Sequence, residues 1–184
     1  MPTHDFGSLE DPELMMLLAV DAHYTNGNGI AAGVLFQNWP DRYPDTVLHS
    51  DCGPVRPYKP GQFYERELPC ILQLLSEHDL HPTHIIIDGY VLLGPESRPG
   101  LGAHLYESLQ RRTPIIGVAK NEFGDGSPEL QLYRGQSKKP LFITAIGIDL
   151  NSAKQNIAAM HGAYRIPTLL RLVDRASRQT TNWA

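Results

Sequence analysis

The sequence of 184 residues predicts an α/β fold in which helices flank a mixed sheet. Residues 84–89 include three consecutive isoleucines, a pattern typical of a central strand that is covered on both faces. Before this stretch, apolar runs are joined by turn residues, and after it helical and strand patterns alternate. We therefore expect a five-stranded sheet that begins as an antiparallel meander and continues with parallel strands.

The first part of the chain carries the pattern of three antiparallel strands. Residues 14–20 and 30–36 are apolar runs, and residues 25–29 between them are rich in Asn and Gly, which tolerate a positive φ. Residues 46–51 form a third candidate strand. The first run leads into Asp21, so we expect this carboxylate near the end of the first strand.

The middle of the chain predicts a helix, a strand and a second helix. Residues 63–78 have apolar side chains at helical spacing, with Pro69 in the first turns, where proline is tolerated. The strand 85–88 follows. A loop rich in Gly and Pro covers residues 89–102, and a helix then extends to about Arg112.

The last part predicts one more buried strand, a hairpin and two helices. The strand is expected at residues 114–118, and the hairpin pairs residues 130–133 with 141–146. Helical spacing of apolar residues marks the closing helices at 152–160 and 168–177.

Composition restricts the class of protein. The net charge is −4 and the pI is about 6.0, which gives no support to a basic nucleic-acid surface but is compatible with an acidic, metal-assisted site. Cys52 and Cys70 lack metal-site spacing and suit a reducing compartment, so we expect a cytoplasmic protein. No membrane-length apolar run or signal-peptide pattern is present. We expect residues 1–13 to form a polar lead-in and 14–184 a single domain.

Three carboxylates are expected to converge at one edge of this sheet. Asp21 and Asp88 follow two strands that the predicted order can bring side by side, and Glu67 approaches from the intervening helix. Three carboxylates this close together would repel one another without a cation. Hard ions such as Mg²⁺ or Mn²⁺ prefer oxygen ligands. The alternatives remain open: Asp88 begins an Asp-Gly turn, and Glu67 lies in a first helical turn, where the dipole favours negative charge.

Several motifs match one known family. They are residues 20–24 (Val-Asp-Ala-His-Tyr), 58–61 (Tyr-Lys-Pro-Gly) with 66–67 (Arg-Glu), 86–89 (Ile-Ile-Asp-Gly) with 102–105 (Gly-Ala-His-Leu), 114–120 (Pro-Ile-Ile-Gly-Val-Ala-Lys), and 164–167 (Tyr-Arg-Ile-Pro) with Asp174. In this order and spacing, from about Leu17 to Arg175, the chain resembles endonuclease V. That family cleaves near inosine, the deaminated form of adenosine, and has a ribonuclease-H-like fold.

The resemblance implies roles for individual residues. Asp21 and Asp88 would bind the metal, Glu67 would complete the acidic site, and Lys120 would stabilise charge at the scissile phosphate. Tyr58 would be the wedge that stacks into the gap left by a displaced base. Without the resemblance, Tyr58 reads as a loop aromatic packed on a proline and Lys120 as a solvated lysine at a strand end.

The chain departs from the family pattern at residues 146–147, in the loop after Asp88 and at Glu65, which stands where the family has Phe. The family has an active-site histidine after the last strand, where this chain has residues 146–147 (Ile-Gly). In the loop that would form the base pocket, Gly89 is kept but Val91 replaces a glycine. Gly94 and Glu96 replace a histidine and an arginine of the family.

The sequence therefore predicts a Mg²⁺-dependent endonuclease, with Mn²⁺ as an alternative ion, that acts in repair or processing of DNA or RNA containing inosine or another deaminated base. A metal-bound water would attack the phosphodiester. The departures leave two other interpretations open. One is a weakened or inactive relative that binds nucleic acid, and the other is a phosphoesterase or interaction module with another substrate, since one fold hosts many functions. The sequence does not indicate a membrane partner or an oligomeric state.

Overall fold

A computed structural model describes residues 15–57, 59–124 and 127–179, so the predicted lead-in and Tyr58 lie outside the described residues. The strands are β1 (Leu17–Thr25), β2 (Asn28–Phe36), β3 (Thr46–Pro54), β4 (His84–Asp88), β5 (Leu92–Leu93), β6 (Arg98–Pro99), β7 (Ile115–Ala119), β8 (Gln131–Leu132) and β9 (Leu141–Ile146). The helices are α1 (Tyr64–Glu77), α2 (Leu101–Ser108), α3 (Leu150–Ala159) and α4 (Thr168–Arg178), with a short 3₁₀ turn at Pro128–Leu130. Among these helices, none combines the length and apolarity needed to cross a membrane.

The predicted α/β fold with a mixed sheet is confirmed. The main sheet has the order β3-β2-β1-β4-β7-β9-β8. The meander β1–β2–β3 is antiparallel, whereas β4 runs parallel to both β1 and β7. The sheet has seven strands rather than five, because the predicted hairpin β8–β9 does not stand apart but pairs with β7 through antiparallel β9. Within the loop after β4, the short pair β5–β6 forms a second, two-stranded sheet.

The three isoleucines of β4 show why this strand is central. Ile85 and Ile87 point into the core under α1 and α2, and Ile86 points into the core under α3 and α4. All three are at most 1% exposed. Burying each such side chain contributes roughly 1.5–3 kcal/mol before entropy is subtracted. Because side chains alternate along a strand, Asp88 falls on the same face as Ile86 and therefore faces the α4 side.

Helix α4 lies across this face of the sheet. Leu169, Val173 and Ala176 recur at helical spacing and are at most 3% exposed, so they bury one side of the helix against the sheet. Ser177 is also buried, at 1% exposure. Asp174 borders the buried stripe next to Val173. This docking brings two polar side chains of α4 to the strand ends.

Candidate active site

The ends of three neighbouring parallel strands carry the charged residues of the site. Val20 of β1 pairs with Ile87 of β4, so the next residues, Asp21 and Asp88, lie side by side. Lys120 follows β7 directly, on the same face of the sheet. The expected adjacency of Asp21 and Asp88 is thus what the topology produces.

A third aspartate comes from helix α4. One carboxylate oxygen from each of Asp21, Asp88 and Asp174 lies within 4.8 Å of the other two. Oxygen ligands at this spacing suit a hard divalent cation. In the sequence, Asp174 stands only within a tail motif that resembles the family, and that motif assigns it no role. The sequence feature that could have indicated a site role for Asp174 is its position beside the apolar stripe of an amphipathic helix.

Lys120 bridges two of these carboxylates. Its Nζ donates to Asp88 Oδ2 at 2.7 Å and to Asp174 Oδ1 at 3.4 Å. Burial by itself lowers the pKa of Lys120, but the contacts with the two carboxylates outweigh it and raise that pKa above its ordinary value. The ammonium group therefore stays charged at neutral pH and offsets part of the repulsion between the acids.

The guanidinium of Arg178 is the second cation at this site. It donates to Asp174 Oδ1 at 3.1 Å. Burial raises the pKa of Asp174, but Arg178 and Lys120 together outweigh burial and hold that pKa below its ordinary value. Asp174 is therefore ionised at neutral pH and available as an oxygen ligand.

Asp21 lies in an environment that disfavours its negative charge. Burial, assisted by the charges of Asp88 and Asp174, raises the pKa of Asp21 to about 6. Ser177 Oγ donates to Asp21 Oδ2 at 2.7 Å and offsets part of this rise. Sequence reasoning missed Ser177, because nothing in a single helical serine indicates that it contacts a strand 156 residues away.

Glu67 lies on α1 and is not one of the three carboxylates within 4.8 Å of one another. It is only 6% exposed. Burial, together with the charges of Asp21 and Asp88, raises the pKa of Glu67 well above its ordinary value. A residue that only complements the helix dipole would be expected in solvent, so the burial favours the active-site interpretation of Glu67.

The motif at residues 164–167 holds the backbone just after β7, where Lys120 lies. The Arg165 guanidinium donates to the backbone carbonyl of Lys120 and, at 2.8 Å, to that of Pro140. Arg134, which is 6% exposed, donates to the carbonyl of Tyr164 at 2.8 Å and fixes the same connection. This motif therefore fixes the backbone that carries Lys120 and does not itself contribute a side chain to the carboxylate cluster.

The loop after Asp88 packs tightly onto β7. The side chain of Val91 is fully buried in the core, and its backbone N–H donates to Thr144 Oγ1 at 2.8 Å. Contact of this side chain with a base would require the loop to open, whereas Gly89 is partly exposed. The base-pocket role of Gly89 and Val91 and the wedge role of Tyr58 stay predictions.

Residues 146–147 lie far from the carboxylates. Ile146 pairs with Ile115 at the beginning of β7, whereas Lys120 follows its end. Five residues of strand separate these ends by about 16 Å. The expected loss of an active-site group at 146–147 therefore removes no side chain from this cluster, to which Asp174 adds a carboxylate.

A small cavity lies among Asp21, Asp88, Lys120 and Asp174. Its volume is about 20 Å³, roughly the room needed by one water molecule. Apolar core side chains, including those of Ile86 and Val173, form its other walls. Because these apolar walls screen charges less than water does, charge interactions at the site are stronger than they would be in solvent.

The fold and the charged strand ends define a ribonuclease-H-like nuclease. The family model described as Endonuclease V matches residues 6–139. The chain belongs to the endonuclease V family, and it is a nuclease, a phosphodiesterase that acts on nucleic acid.

Individual relatives agree with this assignment. An endonuclease V from Nocardia farcinica is 31% identical over 91% of this chain and 81% of the relative. The crystal structure of endonuclease V from Streptomyces avermitilis has a TM-score of 0.70 and 29% identity, and covers 89% of this chain and 79% of that one. An Argonaute from Marinitoga piezophila, with a TM-score of 0.52 and 10% identity over 95% of this chain and 31% of its own, shares the fold alone.

Proposed function

We propose that this nuclease uses a divalent cation to cleave DNA or RNA near inosine. The observation that carries the proposal is the convergence of Asp21, Asp88 and Asp174 from β1, β4 and α4, with their oxygens within 4.8 Å of one another. These residues would hold Mg²⁺, or Mn²⁺, which accepts the same ligands. Such an ion, when bound, polarises a phosphoryl oxygen and lowers the pKa of its water.

In this proposal Lys120 stabilises the negative charge that develops on the phosphate. Its ammonium is anchored by Asp88 and Asp174, so it is already oriented before substrate arrives. One preorganised donor of this kind contributes about 10²- to 10³-fold in rate. Glu67, buried beside the same carboxylates, completes the acidic site, and its raised pKa makes it a group that can accept a proton during the reaction.

Inosine specificity is supported by family membership and by the motifs that match the family. In this proposal Tyr58 stacks in the place of the displaced base, and the loop at Gly89 and Val91 contacts the base itself. The free thiols of Cys52 and Cys70 support a cytoplasmic setting, where repair or processing of deaminated nucleic acid would take place.

The test is cleavage of an oligonucleotide with a single inosine, prepared as DNA and as RNA, with Mg²⁺ or Mn²⁺. We expect cutting near the inosine that a chelator abolishes, and a loss of at least about 100-fold in Asp88→Asn. Asp79→Asn is the matched control, because Asp79 is an exposed residue with a φ of 49°, which asparagine tolerates.

Full activity of Asp88→Asn would refute the metal-site assignment. Equal cutting of oligonucleotides with and without inosine would refute the specificity and leave the reaction class intact. Binding of the strand without cutting, by folded protein, would favour the non-catalytic relative.

A further inference from the structure

A groove lined mainly by residues with polar side chains lies beside the carboxylates, on the side of Asp21 away from Lys120. Its volume is about 260 Å³. The β1–β2 hairpin, β3 and the end of α4 form its walls. The lining side chains that matter here are His23, Asn26, Asn28, Asp51, Ser177 and Arg178.

The groove shares its walls with the candidate active site. His23 lies two residues beyond Asp21 on the same face of β1, about 7 Å further along the strand. Ser177 lines the groove and also donates to Asp21. Arg178 lines it and donates to Asp174. A molecule held at the carboxylates can therefore extend directly into the groove.

The strand order gives the groove a position relative to a linear substrate. β2 and β3 lie on one side of β1, whereas β4 and β7, with Lys120 and the loop after Asp88, lie on the other. A polynucleotide cut in the middle must continue on both sides of the scissile phosphate. We infer that the groove binds the nucleotide next to that phosphate, on the side opposite the loop after Asp88. This inference rests on the proposed nuclease site.

The side chains of the groove have the chemistry for contacts with phosphate and sugar. Amides and guanidinium groups are common partners of these parts of a nucleotide. Among the described residues, no hydrogen bond involves the side chains of His23, Asn26 or Asn28, and each of these side chains carries a group that can donate to or accept from a nucleotide. Arg178 uses only part of its five donors on Asp174.

The charge of the groove favours hydrogen bonding over ion pairing. Arg178 contributes a positive charge, and Asp51 opposes it from β3. Asp51 Oδ1 accepts from the N–H of Gly53 at 2.8 Å, so this carboxylate is already engaged in its own turn. We therefore expect the groove to position one nucleotide and to add little to the salt dependence of binding.

The experiment compares two groove variants with one control variant, and all three leave the carboxylates and their contacts intact. Asn28→Glu places a negative charge in the groove, at an exposed residue that begins β2. Asn151→Glu places the same charge at an exposed position of α3, away from the groove. A second groove variant, Asn26→Gly with Asn28→Ala, removes two amides. Glycine keeps the positive φ of 53° at position 26.

Steady-state cleavage of inosine oligonucleotides, as DNA and as RNA, is the first readout. For substrates that extend on both sides of the cut, Asn28→Glu should raise KM at least about tenfold, with kcat within about twofold, because like charges would oppose each other. Asn151→Glu should change neither constant. Shortening the substrate on one side only should abolish the difference, which identifies the strand direction in the groove.

Direct binding separates this inference from the proposed function. If the wild-type protein cuts and both groove variants match Asn151→Glu, the groove is not used and the proposed function stands. If the wild-type protein binds a labelled strand without cutting, weaker binding by Asn28→Glu than by Asn151→Glu supports the groove, and equal binding refutes it. If no strand binds at low salt, both ideas fail.

Discussion

At the scale of single residues, Asp21 holds its charge against an unfavourable environment. Its pKa rises from 3.8 to about 6 on folding, chiefly through burial and then through Asp88 and Asp174. Between these values the folded protein binds more protons than the unfolded chain. Stability therefore falls as pH rises from about 4 to 6, and the penalty persists at neutral pH. Burial shifts the pKa of Glu67 in the same direction.

We expect Asp21→Asn to stabilise the metal-free protein at pH 7.5 while it abolishes cleavage. The pKa change from 3.8 to about 6 corresponds to a penalty of about 3 kcal/mol, and removing it would raise the Tm by about 6–12 °C in a domain of this size. The gap between variant and wild type should close as pH falls towards 4, because Asp21 is then protonated in the wild type. Thermal melts with a chelator at several pH values measure both effects.

The control for this prediction is Asp79→Asn, which makes the same chemical change at an exposed carboxylate. A Tm for Asp21→Asn at or below that of the control, at pH 7.5, would show that Asp21 carries no such penalty. A gap that widens at acid pH would show that the sign of the pKa shift is wrong.

At the scale of elements, β7 positions the loop that follows Asp88. A Cβ on Gly117 would lie 2.5 Å from the carbonyl oxygen of Gly89 and 2.9 Å from the backbone nitrogen of Val91. Only glycine therefore lets this loop lie directly on the strand. The hydrogen bond from Val91 to Thr144 then ties the same loop to β9. The loop that follows the carboxylate of Asp88 is therefore held by both β7 and β9.

We expect Gly117→Ala to lower the free energy of unfolding by about 1–3 kcal/mol, because backbone atoms must move to admit the methyl group. Gly33→Ala is the matched control on β2. Its Cβ would meet side-chain methyl groups of Leu74 at 2.9 Å and Leu18 at 3.1 Å, and these can turn aside. Urea unfolding should rank Gly117→Ala as the more destabilising change. Equal losses would mean that contact with the loop backbone is not decisive.

The elements that sequence predicted well are those set by local patterns. Helix α1 and strand β4 follow from apolar periodicity and from the isoleucine run, and both were found close to the expected bounds. The attachment of β8–β9 to the main sheet depends on pairing with β7, which no local pattern encodes. The position of Asp174 in the cluster is likewise not encoded by a local pattern, because it depends on how α4 docks against the sheet.

At the scale of the whole molecule, the site links the meander, the parallel strands and the last helix. The carboxylates of Asp21, Glu67, Asp88 and Asp174 are opposed by the cations of Lys120 and Arg178, and by Arg66, whose charge acts on Glu67. A divalent ion would offset the remaining negative charge and would join β1, β4 and α4 through common ligands. Binding to the folded state alone would therefore stabilise the entire fold.

We expect Mg²⁺ or Mn²⁺ to raise the Tm of the wild-type protein. At an ion concentration 100 times Kd the gain is about 2.7 kcal/mol, or about 5–10 °C for a domain of this size. Asp88→Asn should lose most of this gain, and Asp79→Asn should keep it. Melts across a titration of each ion measure the effect. The same gain in wild type and in Asp88→Asn would mean that the ion binds elsewhere.

The order of the elements along the chain has a consequence during protein synthesis. Strands β1, β4 and β7 leave the ribosome before α4, and α4 supplies Asp174 and Ser177 to the cluster. Until this helix docks, the nascent chain has Asp21 and Asp88 without their third partner. A nuclease whose cluster closes last would be incomplete while it is still held next to its own messenger RNA.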